Sequence, residues 1–237
     1  KTGSLPAAHS MPQSLAPSPQ PLSLVLLLSP AHCGGKRARM LLRPNATSEA
    51  AERLRAGAMT LGEAFALMSS LYFRGKLAYA RAIAERHGAA AAAFVITPTR
   101  GLLAPNTMAS VALLEEFAAT DIAADEPRYR QPLERDLAAL VPRLGADGRV
   151  VLLGSIATDK YVAVLAPLLG ERLHYPPAFV GRGDMSRGGL LLRSAAAGAE
   201  LDSVPLTTVS ARRGRRPPRL VPPPASRPAR RATTRIR

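Results

Sequence analysis

The stretch Leu24-Val25-Leu26-Leu27-Leu28 runs without interruption into Ser29-Pro30-Ala31-His32-Cys33-Gly34-Gly35-Lys36-Arg37. A continuous apolar run of this length suits a strand buried on both faces, as in a parallel sheet covered by helices. A turn of small residues follows, and then two adjacent cations. In open α/β sheets, ligands bind just beyond the carboxyl ends of the strands, so this junction marks the expected place of a site. It does not by itself name a reaction.

Outward from this strand, expected over Leu22 to Leu28, the pattern alternates. A short helix is predicted from Ser48 to about Ala56, stopping at Gly57. Thr60 with Glu63 three residues on forms a capping-box pattern and opens a helical region reaching Arg86 and ending at Gly88. Phe94-Val95-Ile96 is a second buried strand, closed by Thr97-Pro98, and a helix follows from about Met108 to Ala118. Pro132 suits the first turn of the next helix, whose Leu133, Leu137, Leu140, Val141 and Leu144 share one face, with Pro142 disturbing its last turn. Arg149 to Gly154 is a third strand and leads to a helix containing Tyr161, Val162, Leu165 and Leu169. Gly181 to Gly189 is expected as a glycine- and arginine-rich loop, Leu190 to Ala197 as a helix with Gly198 past its end, and Leu201 to Leu206 as a last strand. Strands alternating with helices predict an α/β fold: a single three-layer domain with a mostly parallel sheet over residues 22–210.

The formal charge of +15 looks like a nucleic-acid signature until it is located. Ten Arg and no Asp or Glu fall between Ala211 and Arg237, so the segment from 22 to 210 carries only about +4. Residues 1–21, rich in Pro and Ser, are expected to be a disordered leader, and 211–237 a disordered Arg/Pro-rich tail. The tail suits either a solvated extension or a polybasic arm that meets phosphate backbones. Aromatics make up only 4% and Trp is absent, so Ala, Leu and Val must supply most of the core.

A single cysteine excludes an intramolecular disulfide framework and a CxxC metal pair, and His9, His87 and His174 show no ligand spacing. No metal and no cofactor is implied. No run approaches the ~20 apolar residues of a membrane span, and the region before Cys33 makes a poor signal peptide. The expectation is a cytoplasmic protein with no membrane partner.

Gly35-Lys36 after a strand invites comparison with a phosphate-binding P-loop. That motif needs Gly five residues before the Gly-Lys pair and Ser or Thr after the Lys, where this chain has Pro30 and Arg37. What remains is a turn whose glycines allow close backbone approach and whose Lys36 and Arg37 suit a phosphate or carboxylate. Cys33 is a candidate nucleophile beside those cations, or else a small buried hydrophobe. On the helix from Leu71 to Arg86, Tyr72, Lys76, Tyr79 and Ile83 share one stripe. Lys76 therefore either snorkels from its edge or reaches a polar pocket. In the late loop, Arg182 and Arg187 offer fixed donors for an anion, and Asp184 suits a helix cap or a site carboxylate. Gly154-Ser155 lacks the G-x-S-x-G of a nucleophile elbow; it suits a tight turn, with Tyr161 further on as a candidate reactive group.

Together these pieces resemble a set of bacterial α/β domains and, more distantly, the YaaA-type peroxide-stress proteins. The resemblance rests on Ser29-Pro30 with Cys33-Gly34-Gly35-Lys36, on Tyr72, Gly75 and Tyr79, on Gly101 to Pro105, and on Gly154 with Tyr161 before a late glycine-rich loop. Thr99-Arg100 departs from it, since related domains favour an aromatic before the glycine. The resemblance implies an α/β fold and, from the YaaA-type proteins, DNA binding. The expected function is binding of a nucleic acid or nucleotide-like anion by Lys36, Arg37, Lys76, Arg182 and Arg187 at the carboxyl end of the sheet. The alternative is an enzyme acting on a small phosphorylated or carboxylated metabolite through Cys33 or Tyr161.

Overall fold

The computed structural model describes residues 20–69 and 71–208. Strand β1 (Leu22–Leu28) is buried at every position except Ser23, as its apolar run requires. It lies in the middle of the sheet between two parallel neighbours, β2 (Ala91–Ile96) and β4 (Leu144–Leu153). Leu28 stands level with Val95 on one side and Leu153 on the other, so the three carboxyl ends are flush. β5 (Leu173–Tyr175) continues the parallel set beside β4. Two short antiparallel strands, β3 (Leu102–Leu103) and β6 (Val204–Pro205), close the edges, giving the order β3-β2-β1-β4-β5-β6.

Helices α1 (Lys36–Leu41), α2 (Glu49–Arg55), α3 (Leu61–Ser69) and α4 (Leu71–His87) lie between β1 and β2 in the chain. α5 (Val111–Ala118) and α6 (Pro127–Leu140) precede β4, α7 (Asp159–Leu169) joins β4 to β5, and α8 (Asp184–Ala196) leads to β6. From β1 the chain moves outward to one edge, then returns past β1 to β4 and moves the other way. Right-handed crossovers in opposite directions place the connecting helices on opposite faces. The packing agrees: α4 lies on β1, β2, α3 and α8, whereas α6 packs on α7. The direction reverses between β1 and β4, and the carboxyl ends of those two strands therefore border a crevice.

The capping box forms as expected: Thr60 N–H donates to Glu63 Oε2 at 2.7 Å, and Glu63 N–H donates to Thr60 Oγ1 at 3.3 Å. Ser48 and Ser110 cap α2 and α5, accepting from Ala51 N–H and Leu113 N–H. The ring of Phe65 meets Phe73 edge-on at 5.3 Å, one of few aromatic contacts in a core otherwise built from aliphatic side chains.

Several boundaries differ from the sequence reading. α6 begins at Pro127 rather than near Pro132, with Glu126 accepting from Arg128 N–H as its cap. Pro132 sits inside the helix, where its missing N–H removes one helical bond. Leu144 opens β4 after a 3₁₀ turn at Val141–Arg143, because Pro142 ends the helix before the apolar face is complete. Most of the expected glycine-rich loop is helical: α8 starts at Asp184 and contains Gly188 and Gly189. The glycine at 188 serves packing, since α4 and α8 cross there. A Cβ on Gly75 would stand 2.6 Å from Gly188 O, and one on Gly188 would stand 2.7 Å from Leu71 O. The last strand is only Val204–Pro205. β3 and β5, two and three residues long, carry no periodic signal. Residues 1–19 of the leader and the whole Arg-rich tail lie outside the described residues. Among the described residues no helix is long and apolar enough to cross a membrane.

Candidate functional site

Ser29 is the first polar residue after β1, and it sits at the reversal point of the sheet. Its N–H and its hydroxyl both donate to Leu153 O at 3.3 Å, and the N–H bond continues the β1–β4 ladder by one step. Gly154, beyond the end of β4, leaves the room it needs: a Cβ there would come within 3.1 Å of Ser29 Cβ. Ser29 is only 5% exposed, yet it forms part of the floor of an open cleft.

Behind that floor stands Lys76 of α4, at 1% exposure. The lysine does not snorkel. Its Nζ donates to Ser29 O at 2.5 Å and to Ser29 Oγ at 2.9 Å, and lies 4.2 Å from the Tyr72 ring centroid and 5.0 Å from that of Phe73. Burial disfavours its charge and brings its pKa down to about 7. Asp184 opposes that shift, while the positive charges of Arg187 and Lys160 add to it. Near neutral pH the neutral amine is thus well populated, which it is not for an ordinary surface lysine.

The cleft in front of Ser29 measures about 500 Å³. His32, Lys36 and Arg37 from the turn after β1 line it, together with Tyr72 of α4, Lys160 and Tyr161 at the start of α7, and Asp184 at the start of α8. Tyr129 Oη donates to Lys160 O at 2.9 Å and ties the first turn of α7 to α6. Tyr161 is buried against Ser29, and burial raises its pKa, so its phenol remains a hydrogen-bond donor at neutral pH. Tyr72 forms another wall, and its buried hydroxyl faces the Arg187 guanidinium of α8. Burial raises its pKa too.

A second hollow of about 460 Å³ adjoins the first across His32, Lys160 and Tyr161. Cys33 lines this one, beside Pro98 and Phe117. Its Sγ–H points to Ala31 O at 3.8 Å, and burial pushes the thiol pKa up to about 12. It is therefore a neutral thiol at physiological pH, which fits the reading of a small core hydrophobe and not that of a nucleophile.

The five cations expected to converge are divided. Lys36 and Arg37 line the cleft, and Lys76 lies behind it, reaching only Ser29. Arg187, 8% exposed, sits deeper along α8: its Nε donates to Phe179 O at 3.1 Å, and its Nη1 lies 3.9 Å from Asp184 Oδ1. Arg182 stands apart, donating to Ala178 O and Ser186 Oγ. Asp184 is the first residue of α8 and makes no capping bond; Gly183 occupies the cap position. Cys33, Lys76, Tyr161 and Arg187 thus do not share one pocket. Ser29, Tyr72 and Lys160 are the site residues that the sequence left unassigned. The signal for Ser29 was its place as the first polar residue after the buried strand.

A larger groove of about 700 Å³ lies between α5 and α6. Its cations are already paired: Arg100 with Glu116 at 2.5 Å and Arg128 with Glu126 at 3.0 Å. That leaves the crevice at Ser29 as the better candidate. Among the described residues no group of His, Cys, Asp and Glu could hold a metal ion. No family model, no curated protein and no solved structure matches this chain.

Proposed function

We propose that the chain binds a small nucleotide-like anion in the cleft beside Ser29, at the carboxyl end of its sheet. The observation that carries this is the cleft itself, which gathers Lys36, Arg37 and Lys160 on its walls at the reversal point of the sheet. The cations supply the charge that a phosphate or carboxylate needs. A concavity of about 500 Å³ suits a mononucleotide-sized ligand better than a duplex, which would rest on the rim.

Calorimetric titration of the full chain with inorganic phosphate and with a nucleoside monophosphate tests this reading. Both should bind, and affinity should fall as salt rises from about 50 to 200 mM. Replacing Lys36 and Arg37 together by Ala should weaken binding by about tenfold or more, equivalent to about 1.4 kcal/mol. Unchanged affinity in that double variant would remove the cleft from consideration. Binding of duplex DNA without mononucleotide binding would favour a nucleic-acid surface elsewhere on the chain.

A further inference from the structure

We infer that Ser29 is a nucleophile activated by Lys76, and that the cleft carries out acyl transfer on an ester that bears an anionic group. The inference rests on the proposed anion site for the anchoring of that ester. Its own basis is the geometry at the end of β1.

Lys76 occupies a position where a Leu or Met would fill the core. A buried ammonium costs several kcal/mol unless it is paired. The hydrogen bonds of its Nζ go to the Ser29 carbonyl and the Ser29 hydroxyl, and none goes to a carboxylate. The lysine is too deep to touch a ligand, so whatever it does in the cleft passes through Ser29 Oγ. A serine hydroxyl 2.9 Å from a lysine amine is the arrangement by which Ser–Lys enzymes activate serine without histidine. Ser29 also stands where a sheet of this topology presents its site, and Tyr161 brings a phenol to the same hydroxyl from the cleft side.

The step balances with these groups alone. The Ser29 hydroxyl turns from Leu153 O to the lone pair of neutral Lys76, which takes the Oγ proton as the Oγ–C bond forms at the ester carbonyl carbon. The Tyr161 phenol faces the oxygen on which negative charge develops. The C–O bond to the leaving group then breaks, and the proton held by Lys76 passes to the departing alcohol oxygen. Water attacks the acyl-Ser29 in the same way, giving a proton to Lys76, which returns it to Ser29 Oγ as the Oγ–C bond breaks and the carboxylic acid leaves. The net change is ester plus water to acid plus alcohol, and no oxidant or reductant is required.

The proton balance on Lys76 depends on what surrounds it. Asp184 at the start of α8 favours the charged amine, while Arg187 of α8 and Lys160 of α7 disfavour it. Tyr72 from α4 and Tyr161 from α7 stay neutral, since burial raises both pKa values. An anion held at the cleft mouth would add to the pull of Asp184.

The test is covalent labelling of the full chain with a fluorophosphonate, read by intact mass and peptide mapping. Attack by Ser29 forms an Oγ–P bond, fluoride leaves, and the proton stays on Lys76. The expected result is a single adduct on Ser29, formed at a rate that rises with pH in one step centred near 7. Ser29→Ala should give no adduct. Lys76→Met and Lys76→Arg should each slow labelling about 100-fold or more, since neither variant offers a base. The pH step in the wild-type chain serves as the readout should either Lys76 variant fail to fold. Absence of a Ser29 adduct between about pH 6 and 9, or a rate without that step, overturns the nucleophile assignment. If phosphate still binds in that case, the anion site stands without it. An adduct on Ser29 in a chain that does not bind phosphate would instead keep the nucleophile and overturn the anion site.

Discussion

The amine of Lys76 and the hydroxyl of Ser29 lie 2.9 Å apart, which joins the middle of α4 to the end of the central strand. The amine is wholly buried, and that makes the bond a source of pH-dependent stability.

Burial holds the folded pKa of Lys76 near 7, well below the ordinary lysine value that the unfolded chain would show. Below pH 7 the lysine is charged in both states, and the cost of burying the charge is present in full. As pH rises from about 7 toward 10.5, the folded chain has lost this proton while the unfolded chain still binds it, so stability rises across that window. Lys76→Met removes this dependence. In urea titrations, wild-type stability relative to Lys76→Met should increase by roughly 2–5 kcal/mol between pH 7 and 10. A flat difference would show that the amine keeps an ordinary pKa in the folded chain.

Cys33 should behave as an inert core residue. At pH 8 a thiol-specific disulfide reagent should react slowly with the folded chain and rapidly after denaturation in guanidinium. Cys33→Ala should leave phosphate binding within about twofold, a shift under ~0.5 kcal/mol. Rapid native-state reaction would reopen the case for a thiolate.

Gly101 adopts φ +63°, and a Cβ there would stand 2.2 Å from Asp136 Oδ2 and 2.5 Å from Pro132 O. Asp136 Oδ2 accepts from Leu102 N–H at 2.8 Å, and so pins the short β3 to α6. Gly101→Ala should cost about 2 kcal/mol or more in chemical denaturation, from backbone strain and overpacking together. Asp136→Ala should cost roughly 1–3 kcal/mol by leaving a buried N–H unpaired. Wild-type midpoints in both would mean that this edge of the sheet tolerates local rearrangement.

Thr60→Ala should destabilise the chain by about 1 kcal/mol through loss of the reciprocal cap, with an unchanged denaturant m-value. A change in m-value instead would place the effect in the unfolded state.

The fold was legible in the sequence where a single local signal was enough. The apolar run Leu22–Leu28 announced a central strand, and Thr60 with Glu63 announced a helix start; both lie where expected. The short edge strands were not legible, because two or three residues hold no periodicity. Gly188 and Gly189 misled because a glycine pair looks like a chain breaker until the partner helix is in view. Within the site, the polar role of Lys76 was visible from its place on an apolar stripe. Its partner was not: Ser29 is 47 residues away, and only the crossover that lays α4 on β1 brings the two together. The expected convergence of five cations failed for a similar reason. Arg182 and Arg187 flank a helix start in a stretch whose glycines suggest a loop, and the helix turns them to different surroundings.

The crossing of α4 and α8 also governs the spacing of two charges. Gly75 precedes Lys76 and Gly188 follows Arg187, so the contact that sets the helix separation works as a gauge for the gap between two buried cations. Neither helix can drift outward without opening a void, nor inward past touching backbone. A side chain of any size at either glycine would wedge the joint and change the field at Ser29 without touching the cleft. The reactivity proposed for the strand end is thus adjustable from within the helix layer, by glycines that do not line the cleft.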